Sequence, residues 1–163
     1  MSYCGAPKCY LKTMNRILLT YAAVAFSMLL LDLIWLGFIA RSLYAGGIGH
    51  LMAERPNWLA AGLFYLVYAA GLVWFAVRPF NADSGWQAPL LTAAAFGLVA
   101  YATYDLSNQA TLKDWPWRIT LADIAWGSLA STLAAAAGRW VWLRMPALNI
   151  AQTGMQVGTQ AGP

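Results

Sequence analysis

Three aspartates carry the chemistry this chain could do. Asp32, Asp105 and Asp123 each fall inside a long apolar run, and no Lys or Arg lies as deep. An acid at the centre of a membrane helix costs about 2.5–3.5 kcal/mol, so each is expected to face the interior of a bundle. At about 1.5 Å per helical residue, Asp32 lies about 13 Å inside Arg41, Asp105 about 12 Å inside Lys113, and Asp123 about 7–8 Å inside Arg118. The runs alternate in direction, so the three carboxyls approach one layer. Three carboxylates gathered in a low dielectric should not all ionise, and should titrate as a coupled group. Such a group could bind a cation, relay protons, or act as general acid and base. The plainer alternative is structural, since protonated aspartates can cross-link helices by hydrogen bonds.

The neighbours repeat a pattern. Asp32 and Trp35, like Asp123 and Trp126, share the spacing D-x-x-W, and Asp105 has Asn108 at the same offset. Residues three apart share a helix face, so each carboxyl has an indole or amide beside it that could hydrogen-bond. Tyr101 and Tyr104 lie near Asp105, which makes Asp105 the first choice for a titrating centre. Thr120 lies one turn before Asp123, and Tyr65 and Tyr68 are the polar contribution of the second run. For Trp35 and Trp126, packing is the plainer role.

These residues need helices to hold them. The chain of 163 residues is 61% hydrophobic and only 10% charged, where a soluble domain has about 25%. A single soluble domain would lack polar side chains to cover its surface, and disorder needs low hydrophobicity. A membrane helix takes about 20 apolar residues, and four stretches qualify, at about 17–40, 58–77, 89–112 and 119–143. The expected fold is therefore all-α, a polytopic bundle of four transmembrane helices. It occupies residues 14–145, between a short tail (1–13, with Met14 as an alternative start) and a mobile C-terminal tail (146–163) rich in Gln, Gly and Thr. The first run continues too far beyond Ala23-Val24-Ala25 for a cleaved signal peptide. Gly127, Ser131, Ala134 and Gly138 make small-residue faces that suit close helix packing.

Charge then orients the bundle. Lys8, Lys12, Arg16, Arg78, Arg139 and Arg144 flank one end, and Arg41, Arg55, Lys113 and Arg118 the other. The bias favours both termini in the cytoplasm. Trp58, Trp115 and Trp117 are expected as an outer interfacial belt, and Trp86, Trp140 and Trp142 as an inner one. Membrane topology accounts for the basic residues, and without a basic stripe nucleic acid is not expected as a partner. Cys4 and Cys9 cannot close a zinc site, and no histidine lies within a span; His50 sits in a Gly-rich link. No metal or cofactor is expected.

Leu31 to Gly37 (L-D-L-I-W-L-G), Phe64 to Tyr68 (F-Y-L-V-Y), Tyr104 to Leu112 (Y-D-L-S-N-Q-A-T-L) and Asp123 to Gly127 (D-I-A-W-G) resemble a bacterial membrane family catalogued as domain of unknown function 2177. The resemblance covers all four spans, about Met14 to Arg144. It implies a four-helix protein of the bacterial inner membrane with no assigned catalytic residues. Three functions stay open. One is a carrier or binding protein for a small solute, cation or proton, as a homodimer if it transports. Another is a membrane-embedded enzyme acting on a lipid or isoprenoid. The third is a non-catalytic accessory subunit of another membrane protein.

Overall fold

The computed structural model describes the backbone of residues 6–145 and the side chains of residues 11–145. The expected C-terminal tail and the side chains of Cys4 and Cys9 lie outside the described residues. Helix α1 (Ala6–Ile34) runs into a π-helical turn (Trp35–Ile39), and α2 (Arg41–Ile48) is short. Helix α3 (Trp58–Leu72) ends in a second π-helical turn (Val73–Val77), and α4 (Gln87–Thr111) and α5 (Trp117–Arg144) follow. Four segments are long and apolar enough to cross a membrane: Leu11–Ile39, Trp58–Val77, Gln87–Thr111 and Trp117–Arg144. The fold is the expected all-α membrane protein.

Two boundaries differ from the sequence reading. Helix α1 already begins at Ala6, ahead of Ile17. Lys, Leu and Met are good helix formers, so the polar start of this segment continues the helix. Helix α2 occupies what reads as a Gly-rich link. It forms because the chain breaks at Ala40 (φ −98°, ψ 0°) and re-enters the helix at Arg41.

The joints follow turn chemistry. The Asn57 side chain caps α3 by accepting from the Ala60 amide at 3.1 Å. Gly85, at φ +62°, makes the turn into α4, where a Cβ would be strained. Asp114 takes the left-handed conformation (φ 58°) in the tight link to α5, which Pro116 opens.

Helix α5 is the inner helix. Ile119, Asp123, Trp126, Ala130 and Ala134 are buried at spacings of three or four, the period of one helical face. The small residues let neighbours come close. A Cβ on Gly97 of α4 would lie 2.2 Å from the Gly127 carbonyl oxygen of α5. A Cβ on Gly138 would lie 2.4 Å from Val24 of α1. Helix α3 leans on α1, and its π-helical turn closes against α4 and α5. Large apolar side chains such as Phe26, Phe38, Leu59, Val67 and Leu91 point outward, as lipid contact requires.

The end carrying residues 16 and 142 is tied by arginines. Arg16 Nε and Nη2 donate to the Trp142 carbonyl at 3.0 and 2.7 Å. Arg139, read from sequence only as a charge closing the last span, is fully buried. It donates to the carbonyls of Phe80, Asn81 and Gly85 and so clamps the α3–α4 link. The tryptophan belts are also corrected. Trp58, Trp117, Trp86 and Trp140 are exposed, but Trp115 and Trp142 are buried. Each of those two packs inward because it has a polar partner there: Thr120 for the Trp115 indole, Arg16 for the Trp142 ring and carbonyl.

Candidate functional site

Asp32, Asp105 and Asp123 are all buried, on α1, α4 and α5. Asp32 and Asp123 are joined by an exchange between the two D-x-x-W segments. Trp126 of α5 donates through Nε1 to Asp32 Oδ1 of α1 at 2.9 Å. Trp35 of α1 donates through Nε1 to the Tyr44 hydroxyl at 3.1 Å, and that hydroxyl donates to Asp123 Oδ1 of α5. Between them the two indoles stack, with centroids 4.5 Å apart and planes 5° from parallel. Each carboxyl therefore takes its donor from across the interface rather than from its own helix. The π-helical turn begins at Trp35, so the helix widens where the stack and the turn toward α2 must be accommodated.

Tyr44 is the residue the sequence reading missed. It lies on α2, outside the apolar spans, and nothing in the Gly-rich segment marks it as reaching back into the bundle. Burial first, and the bond to Asp123 second, push its phenol above the ordinary tyrosine range. A tyrosine shortly after the first span, close enough to fold over D-x-x-W, was the available signal.

Asp105 is held differently. It is completely buried, and among the described residues neither carboxylate oxygen has a hydrogen-bond partner. The nearby Trp115 indole is committed elsewhere: Nε1 donates to Thr120 Oγ1 at 3.1 Å, and the Thr120 hydroxyl donates to Gln109 Oε1 at 3.0 Å. Gln109 Nε2 closes the ring onto the Trp115 carbonyl at 2.8 Å. Asp105 is near enough to Asp123, and Asp123 to Asp32, for their charges to interact. The contacts of Asp32 and Asp123 are with neutral donors, not cations.

The remaining candidates divide. Tyr65 faces Asp32 from α3. The Tyr68 hydroxyl shares a 2.8 Å hydrogen bond with Ser131, and its ring meets that of Tyr101 edge-on at 6.1 Å. Tyr101 lies flat over Gly127, where a Cβ would fall 2.1 Å from the ring. Tyr104 is not brought into this group. It is 59% exposed and meets only the edge of Trp115, because it adjoins Asp105 in sequence and so points about 100° away around the helix. Asn108 is half-buried on the Asp105 side of α4, without a side-chain hydrogen bond among the described residues. His50 lies in the middle of a 3-10 turn (Gly49–Leu51) in the exposed link.

Chemically, the arrangement offers one carboxyl with unfilled hydrogen-bonding capacity and two whose acceptors are partly filled. Among the described residues no three His, Cys, Asp or Glu side chains converge to hold a metal ion. A second feature adjoins the site. A groove of about 500 Å³ lies between α3 and α4, walled by Leu63, Phe64, Val67, Phe75 and Phe96, and it reaches Tyr68.

Residues 17–140 match the sequence profile of a family described as predicted membrane protein (DUF2177). The match reaches into all four of these spans and takes in all three buried aspartates, and the chain belongs to that family. Among curated proteins and among solved structures, none matches it.

Proposed function

With that membership as the premise, we propose that this membrane protein is a carrier or binding protein whose buried carboxyls take up a proton, with Asp105 as the titrating centre. The supporting observation is the state of Asp105: fully buried, with both oxygens unpartnered among the described residues. A buried polar group without a partner is costly, and a buried charge far more so. A bound proton relieves that cost and needs no further room. Asp123 is the neighbouring acceptor to which the proton can pass, and Tyr44 stands between Asp123 and the α2 side. Asp32, Tyr65 and Trp126 extend the polar set toward α1 and α3.

An infrared pH titration of the reconstituted protein tests this. A protonated-carboxyl band should appear in the wild type and be lost in Asp105→Asn, at unchanged helical content. An identical band in the variant would place the proton elsewhere. Loss of the folded bundle in the variant would instead assign Asp105 to helix cross-linking.

The groove supports a second reading, an enzyme acting on a lipid or isoprenoid. It is apolar, lies between spans and is lined in part by Tyr68, as suits an acyl or prenyl chain. Mass spectrometry of membrane lipids from a deletion strain, the complemented strain and the Asp105→Asn strain separates the readings. A lipid restored by wild type but not by the variant favours the enzyme, and unchanged lipids favour the carrier.

A further inference from the structure

The end of the bundle carrying Arg16 and Arg144 gathers cations on indoles. The Arg16 guanidinium lies 3.7 Å from the Trp142 ring centroid, Arg144 3.7 Å from Trp140, and Arg78 4.1 Å from Trp74. Arg139 is the fourth cation at this end, 5.6 Å from Trp86, but it is buried and committed to loop carbonyls. The contacts of these arginines are to rings and carbonyls, not to carboxylates. Among the described side chains five cations, Lys12, Arg16, Arg78, Arg139 and Arg144, stand here against one acid, Asp83. At the opposite end Arg41, Arg55, Lys113 and Arg118 stand against Glu54 and Asp114.

We propose that this collar of Arg16, Arg78 and Arg144 is a binding surface for the phosphates of anionic phospholipid headgroups. Trp74 and Trp140 are 59% and 50% exposed, at the end of the apolar spans where indoles settle at headgroup depth. A guanidinium held over a ring keeps its N–H groups at its edge, and for Arg78 and Arg144 that edge can bind phosphate in a bidentate manner. Arg16 commits Nε and Nη2 to the Trp142 carbonyl, so Nη1 stands outside those two bonds. The uncompensated positive charge supplies the selectivity. A zwitterionic headgroup brings its own cation to the collar, whereas phosphatidylglycerol brings net negative charge. Juxtamembrane Lys and Arg each favour anionic lipid, so three arginines together should give at least about a tenfold preference.

Native mass spectrometry of the full-length protein, released from micelles holding equal phosphatidylglycerol and phosphatidylcholine, reads this preference. The wild type should retain phosphatidylglycerol at least about tenfold over phosphatidylcholine, and less so as salt is raised before release. The triple variant Arg16→Gln, Arg78→Gln, Arg144→Gln should lose the preference, while Arg41→Gln with Arg118→Gln at the other end should keep it. If the triple variant does not fold, Arg78→Gln with Arg144→Gln, which spares the Arg16 bonds to α5, carries the same expectation in weaker form. Equal retention of both lipids by the wild type would overturn the proposal and leave the arginines to topology alone. So would equal losses at the two ends, or displacement of the lipid by inorganic phosphate.

Discussion

Asp32 and Asp123 each stand three residues before a tryptophan, yet each receives its donor from another helix, Trp126 of α5 for Asp32 and Tyr44 of α2 for Asp123. The reason is geometric. An aspartate side chain is short, and within one helix the i+3 indole leans along the same surface instead of turning its Nε1 back to the carboxyl. Across the α1–α5 contact, Trp126 meets Asp32 head-on. A double-mutant cycle on Asp32→Asn and Trp126→Phe should therefore show coupling of about 0.6–1.7 kcal/mol, the range for interhelical hydrogen bonds in membranes. Reversible unfolding in mixed micelles measures it, and strictly additive losses would deny the bond.

Tyr44 adds a pH dependence with a definite sign. Its donating form is the protonated phenol, and its folded pKa is raised. The contribution of the bond is complete below the ordinary tyrosine value of about 10 and is lost as pH climbs through the raised value. Ultraviolet titration should show a late-ionising tyrosine that Tyr44→Phe removes. The aspartates of this site were legible in sequence because acids in apolar runs are costly. Tyr44 was not, because a tyrosine in a Gly-rich link has no cost to betray it. Tyr104 shows the opposite error: nearness in sequence placed it beside Asp105, and helical rotation turned it outward.

The helices themselves were legible from apolar length, and Trp58–Val77 is matched at both ends. The π-helical turns were not, since no residue type requires them and they answer to tertiary contacts at Trp35 and Val73. What does the most to set helix spacing is the contact of Gly97 with Gly127. Gly97→Ala should destabilise the bundle by about 1–3 kcal/mol, because α4 and α5 must part to admit the methyl group. Gly62→Ala on α3, with open space around its Cβ, should be neutral or slightly stabilising. Thermal unfolding of the two variants in one detergent makes the comparison, and equal gains would mean that helix propensity rather than packing governs both.

Over the whole molecule, the count of spans places residues 16 and 142 at one end, and the Arg16 bonds to Trp142 hold them together. Reporter fusions at the two termini should give the same sidedness, with the cytoplasmic signal that the Lys and Arg bias favours. Opposite signals would mean that one span does not cross.

The exchange between the D-x-x-W segments also has a consequence for biosynthesis. The donor for Asp32 lies 94 residues further along the chain. At about 5–20 residues per second, a ribosome needs roughly 5–20 seconds to supply it. For that interval α1 sits at the translocon with an acid and no Trp126 to meet it. Partial chains ending before α5 should consequently be turned over faster than the full chain, which pulse-chase labelling measures.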